Sequence, residues 1–338
     1  LLSIFSTSFA NNDNLDIHSP SCILINSNSG KVLYEKNAYN KMYPASTTKI
    51  MTAILVLENC NLNEIVTVSE NAVSLNSVPE TYTRANLKSG EKLSIEDLLN
   101  VLLIPSANDA AIALAEHVSG SVDEFSKLMN SKAKEIGCTN TNFVNPNGVH
   151  NINQYTTAYD MSLIGKYAME NDTFRKIVSK TSCNLPITNM YDKDDRKFNN
   201  TNELLTSNDY YYEYTTGIKT GYTNSAQNCI VASCKKDDYE FIVVVLGADK
   251  MTSDENDRAH DCITLFNYAI KNYNEKIISS PETILKQVEI ELSDNQKKTL
   301  DIVAEKELKV TTVQDISTIE PEITINENLQ APILKGFV

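Results

Sequence analysis

The 338-residue chain contains no apolar run as long as the ~18 residues a membrane-spanning helix needs, so no segment reads as crossing a bilayer. It also lacks any long basic run. The formal net charge is −14, which argues against nucleic acid as a partner and against electrostatic docking on anionic lipid. Four histidines (His18, His117, His150, His260) never fall at metal-ligand spacing, and the seven cysteines include no C-x-x-C pair. No metal and no cofactor is therefore expected. Cys229 and Cys234 fall on one expected strand, too far apart along it to pair easily, and no disulfide is assigned. What the chain does have is apolar material: 41% hydrophobic residues, over a length that accommodates one large domain and a smaller one.

The chain is organised around Pro44-Ala45-Ser46-Thr47-Thr48-Lys49, which runs into Ile50-Met51-Thr52-Ala53-Ile54-Leu55-Val56-Leu57. Pro44 pre-sets the backbone for a helix start, and no breaker follows before Asn59. A helix that is apolar almost all round belongs inside a domain. Ser46 and Lys49, three apart, share a face at the positive end of the expected helix. An amine whose charge is disfavoured by burial can activate an adjacent serine without histidine, which makes Ser46 the candidate nucleophile and Lys49 its base. S-x-x-K alone is a weak pattern, because it recurs at Ser89/Lys92, Ser131/Lys134 and Ser233/Lys236. Those three copies lie in polar surroundings and read as solvated surface. Only Ser46 opens an apolar helix.

Acyl transfer by a serine also needs a proton path to the leaving amine and donors for the oxyanion. Ser106-Ala107-Asn108 falls in a turn between two expected helices, where a hydroxyl and an amide can face a cleft. S-x-N recurs elsewhere, including Ser293-Asp294-Asn295 near the C-terminus, so this motif too is weak alone. Lys219-Thr220-Gly221 occurs once, on an expected strand. A cation there can keep Lys49 partly neutral and attract a carboxylate, and Gly221 can admit a substrate backbone. Read singly, Lys219 is more simply an edge-strand lysine.

In chain order, Ser21 to Asn26 and Lys31 to Glu35 read as a hairpin, and Glu64 to Ser69 as a strand before a polar loop from Asn71 to Ser89. Ser94 with Asp97, Ser121 with Glu124 and Thr157 with Asp160 read as helix caps, the Ser121 helix ending at Gly137, and a further helix reads from about Asn108 through Leu114. The stretch from Asn184 to Asp209 reads as polar loop. Thr216 to Tyr222, Asn228 to Cys234 and Glu240 to Gly247 read as strands, and Ser253 to Tyr273 as a closing helix. The expected fold is α+β, one antiparallel sheet whose N-terminal strands join the C-terminal ones around a helical block. Beyond Pro281 the alternation of Val288 to Leu292, Leu308 to Val313 and Ile323 to Ile325 predicts a small all-β domain. The expected boundaries are 1–10 for the rear of a signal peptide, ending in Ser8-Phe9-Ala10, then 11–278 and 279–338. That places the protein outside the cytoplasm.

The order S-x-x-K, S-x-N, K-T-G is the signature of penicillin-binding proteins and class A β-lactamases. The Ser293 decoy fails because it follows the K-T-G. Together with Asn145-Pro146-Asn147-Gly148, Tyr155-Thr156-Thr157-Ala158-Tyr159-Asp160 and Thr216 to Thr223, the motifs make the chain resemble the low-molecular-weight penicillin-binding proteins, serine-type D-Ala-D-Ala carboxypeptidases of the DacA kind. The resemblance is strong over about residues 20 to 275. It implies a β-lactamase/transpeptidase-like domain, peptidoglycan stem peptides as substrate and β-lactams as covalent inhibitors. It further implies an oxyanion hole from the backbone N–H groups of Ser46 and Tyr222, and carboxylate binding by Lys219 and Thr220. Arg258 stands where the family often has an arginine near the terminal carboxylate, although a solvated helix-start arginine fits equally. Gln154 occupies a position where many relatives have histidine. A peripheral membrane anchor of the family's kind would lie beyond Val338. The alternatives are a β-lactamase, which needs fast deacylation, a non-hydrolytic β-lactam or wall sensor of the same fold, and an endopeptidase using the same residues.

Overall fold

The computed structural model describes residues 15–312, apart from 75, 78–80, 252–254, 292–296 and 306. The expected signal segment and the strand at Ile323 to Ile325 lie outside the described residues.

Five strands form the main sheet: β1 (Ser21–Asn26), β2 (Val32–Lys36), β3 (Thr215–Thr223), β4 (Gln227–Lys236) and β5 (Tyr239–Ala248). Their order is β2-β1-β5-β4-β3 and every neighbouring pair is antiparallel. The chain closes on itself through β1 and β5, from Ser21↔Leu246 to Asn26↔Phe241, so the first strand joins the last hairpin. All six residues of β1 are buried. That fits their unbroken apolar run, because a strand covered on both faces needs no polar side. One face, with Ile23, Ile25, Val244 and Leu246, belongs to the helical core. The other, with Cys22, Leu24, Val243 and Val245, is also buried, and the last helix Asp257–Asn272 buries Ala259, Cys262, Leu265 and Phe266.

The helical block is built on the helix Lys49–Asn59, which buries eight consecutive residues from Lys49 to Val56. Around it lie Ile95–Leu103, Asn108–Ser119, Val122–Ile136 and Ala158–Met169. Burial of each large aliphatic side chain here contributes about 1.5–3 kcal/mol, which anchors the helix that carries Lys49. Three caps form as the sequence predicts. Ser94 and Asp97 make a reciprocal capping box, Ser121 accepts from Glu124 N–H, and Thr157 accepts from Asp160 N–H. Gly137 ends its helix in the left-handed conformation.

The structure departs from the sequence reading in the polar segments. The helix Asp172–Val178, capped by Asn171, was not expected. The Asn184 to Asp209 stretch contains half of a two-stranded ribbon, Ser182–Asn184 with Lys197–Asn199, and a short helix Glu203–Thr206. Short polar elements carry too little apolar periodicity to register, and neighbours stabilise them. Ser233 is another departure: instead of lying at the surface it is buried and shares a hydrogen bond with Thr216 Oγ1 at 2.7 Å.

Contacts divide the chain at Tyr268, inside the last helix. The residues from there on form two antiparallel pairs, Asn274–Ser279 with Leu308–Thr312 and Ile284–Glu291 with Lys297–Val303. Among the described residues no helix is long and apolar enough to cross a membrane.

Candidate active site

Ser46 does not stand in an α-helix, as its sequence context predicts, but in a 3-10 turn, Ala45–Thr48, that precedes the α-helix at Lys49. The tighter winding eclipses side chains three apart, so it brings Ser46 and Lys49 into register more directly than an α-helix does. Backbone fit holds the turn from two sides. A Cβ on Gly148, at φ +84°, would lie 1.9 Å from Ala45 O, and one on Gly221 would lie 2.8 Å from Ser46 N. Gly221 is therefore needed where β3 passes the Ser46 turn. This requirement stands beside the expectation that its bareness admits a substrate backbone.

Lys49 is fully buried, and three oxygens surround its Nζ: Ser46 Oγ at 2.9 Å, Asn108 Oδ1 at 2.8 Å and Asn147 O at 2.6 Å. Burial pushes its pKa well below the usual lysine value, the Lys219 cation adds to the shift, and Asp109 opposes it. A neutral amine has two N–H donors and one lone pair. The two carbonyl oxygens accept only, so both N–H bonds go to them and the lone pair is left for the Ser46 hydroxyl. Asn108 cannot turn its amide toward Lys49, because Nδ2 donates to Thr83 O at 2.9 Å. Among the described residues, Ser46 Oγ has only Lys49 and Asn147 O, the latter at 3.5 Å, as hydrogen-bond partners.

A family model described as D-alanyl-D-alanine carboxypeptidase matches residues 7–250. The curated carboxypeptidase DacF of Bacillus subtilis is 32% identical over 99% of this chain and 85% of its own length. DacC of Escherichia coli is 36% identical over 70% of this chain and 58% of its own. The chain belongs to the D-alanyl-D-alanine carboxypeptidase family. Among solved structures, the Streptomyces K15 DD-transpeptidase superimposes with a TM-score of 0.69 at 31% identity, over 75% of this chain and 98% of its own. A peptidoglycan synthesis regulatory factor (PBP3) of Streptococcus pneumoniae gives 0.73 at 25% identity, over 88% and 85%. The expected fold class and the serine-hydrolase assignment hold.

In this carboxypeptidase a cleft of about 1020 Å³ lies over the Ser46 turn. Ser46, Ser106, Asn108, Thr220, Gly221, Tyr222 and Arg258 all line it. Ser106 sits at φ +72°, a left-handed strain of about 1–3 kcal/mol for a non-glycine residue, held between two helices. Lys219 does not line the cleft. It is buried behind Thr220, donates to Thr220 O at 3.0 Å, and is pushed down to about 7 by burial and by the Arg258 cation, against Glu203. Thr220 Oγ1 shares a hydrogen bond with Thr201 Oγ1 at 2.5 Å. The exposed Tyr222 ring leaves its backbone beside Gly221 at the cleft wall. Arg258 is not a solvated helix-start residue. It is buried, ion-paired with Glu203, and within 3.4 Å of Gly221 O through Nη1.

Sequence reasoning missed Asn147, Gln154, Thr201 and Glu203 as parts of the site. Asn147 acts through a backbone carbonyl, which leaves no signature in side-chain identity. Its loop is strapped down by side chains: Gln154 Oε1 accepts from Val144 and Asn145 N–H at 3.0 and 3.1 Å, and Gln154 Nε2 donates to Thr48 Oγ1 at 3.3 Å. Thr52 Oγ1 adds a 2.6 Å bond to Pro146 O. The Pro-Asn-Gly sequence was a usable turn signal, though it could not say what the turn would touch. Thr201 and Glu203 lie in the stretch read as featureless loop.

Proposed function

We propose that the protein removes the terminal D-alanine from peptidoglycan stem peptides through an acyl-enzyme on Ser46, and that β-lactams acylate the same oxygen. The observation that carries the assignment of roles is the saturation of Lys49 Nζ by two carbonyl oxygens, which turns its lone pair to Ser46. Lys49 takes the Ser46 proton as Oγ bonds to the carbonyl carbon between the two D-alanines. The oxyanion forms between the N–H groups of Ser46 and Tyr222. When the C–N bond breaks, the proton held by Lys49 passes by way of Ser106 to the departing D-alanine amine. Water, deprotonated by the same route, then releases the shortened peptide and restores Ser46. Asn108 orients Lys49, while Thr220 and the charge of Lys219 receive the terminal carboxylate. Arg258, occupied by Glu203 and Gly221 O, serves this pocket by positioning β3 and by its charge.

The substrate places the protein outside the cytoplasm. We further propose the division into a catalytic domain to about residue 278 and a β-rich domain after it. The β-lactamase alternative needs a carboxylate to drive deacylation. Among the described residues two carboxylates line the cleft, Glu203 and Asp249, and of these Glu203 is committed to Arg258. Mass spectrometry of the protein after exposure to benzylpenicillin tests the reading. A stable adduct on the peptide carrying Ser46, absent in Ser46→Ala, is expected; an adduct on another residue would overturn it.

A further inference from the structure

Next to Asn108 stands a carboxylate that the acyl-transfer scheme does not use. Asp109 is fully buried in the first turn of the helix Asn108–Ser119. Its hydrogen bonds come from backbone N–H groups: Ala85 at 2.9 Å and Ala110 at 3.0 Å to Oδ1, and Leu87 at 3.1 Å to Oδ2. These bonds and the positive end of the helix hold the charge in place without an ion pair. Arg196 belongs to the segment whose Tyr191 donates to Asn86 O at 2.5 Å, over the same loop, but it is committed to buried Glu91 at 2.8 Å. What Asp109 holds is the loop 83–87. There the Thr83 carbonyl accepts from Asn108 twice, from its backbone N–H and from Nδ2, each at 2.9 Å. The amide so fixed presents Oδ1 to Lys49 Nζ at 2.8 Å. A continuous set of hydrogen bonds therefore links Asp109 to the base.

From this linkage we propose that Asp109 is a positioning residue for acyl transfer: through the loop 83–87 it sets the Asn108 amide against Lys49, and its negative charge favours the proton on Lys49 once Ser46 has given it up. The proposal rests on the reading of Lys49 as the base. In the attack step Lys49 becomes a cation in a buried place, where the Lys219 cation disfavours it and Asp109 favours it. Without the carboxylate, burial and Lys219 act unopposed, and the neutral amine is a weaker base. On its other side Asp109 acts on Tyr191, which also meets the Glu91 and Arg196 charges, and those two offset each other as a pair. In sequence, an aspartate in the first turn of a helix reads as an ordinary complement to the helix dipole, so nothing there marks it. Its function comes from the loop that folds back on it.

The test is the second-order rate of Ser46 acylation by benzylpenicillin as a function of pH, since its acid limb reports the base of the free enzyme. In Asp109→Asn the limb should move to lower pH by roughly one unit, as loss of an opposite charge does. The plateau should also fall about 10- to 100-fold, as a displaced catalytic geometry costs. Asp109→Glu keeps the charge but displaces the carboxylate, so its plateau should fall while its limb stays. Should Asp109→Asn fail to fold, Asp109→Ser, neutral and smaller, carries the same expectation. The cleft histidine His150 is common to every variant and supplies no difference between the profiles. A carboxylate with a purely structural role lowers the plateaus and leaves every limb in place. That result would overturn the proposal, as would an unchanged plateau in Asp109→Asn that melts like the parent. A parent that benzylpenicillin does not acylate on Ser46 would instead remove the reading of Lys49 beneath it.

Discussion

At the scale of single residues, the account turns on a buried amine that must give up its charge. Burial, and after it a second lysine, push the Lys49 pKa well below the usual lysine value, and its amine meets two oxygens that can only accept. Arginine never becomes neutral in a protein, so Lys49→Arg removes the base; hydrolysis of an acyl-D-Ala-D-Ala peptide should fall about 10²- to 10⁴-fold. Steady-state rates on variant that melts like the parent check this, and rates within tenfold would contradict it. Lys219 gives a prediction about stability. Its folded pKa of about 7 lies below its ordinary 10.5, so between those values the unfolded chain binds the extra proton, and stability from this residue rises with pH. Lys219→Met removes the burial cost. Its advantage in Tm over the parent should be largest near pH 7 and shrink toward pH 9, as parallel thermal melts would show; a constant gap would refute it. Above 9 the buried thiols, Cys22 pushed up to about 12 among them, add the opposite slope. Ser46, Lys49 and Asn108 were legible as candidates because their types and spacing carry chemistry. The carbonyl of Asn147 was not, since every residue has one.

At the scale of elements, the site is a 3-10 turn gripped between a loop and a strand. Gly148 and Gly221 let both approach backbone to backbone. Gly148→Ala forces a Cβ into Ala45 O and should cost about 1–3 kcal/mol of stability. It also displaces Asn147, so β-lactam acylation should fall with it. Gly120→Ala is the control: the same left-handed backbone at φ +80° with open space around it, which should leave acylation untouched. Denaturant titration and acylation rates on both variants separate strain from crowding, and equal effects would contradict the clamp. Helices with caps and apolar stripes were readable from sequence, as Ser94 with Asp97 illustrates. The 3-10 turn was not, because local propensity at Ala45 to Thr48 says nothing of the two glycines that arrive from residues 148 and 221.

At the scale of the whole molecule, the expected sheet closed as drawn, because hydrophobic β1 has no place except between covered faces. Every residue of the candidate site lies within Asn12–Asn267, and the Streptomyces K15 relative is matched over 98% of its length by 75% of this chain. A chain ended after Tyr273 should therefore keep β-lactam acylation within about twofold, as a domain with its own core does; loss of acylation from a folded truncation would make the β-rich part a participant in the site. The most direct measurement of the central claim is release of free D-alanine from a soluble acyl-D-Ala-D-Ala peptide, run beside Ser46→Ala. Release by the parent and none by the variant is the result this account predicts. Release that survives Ser46→Ala would contradict it.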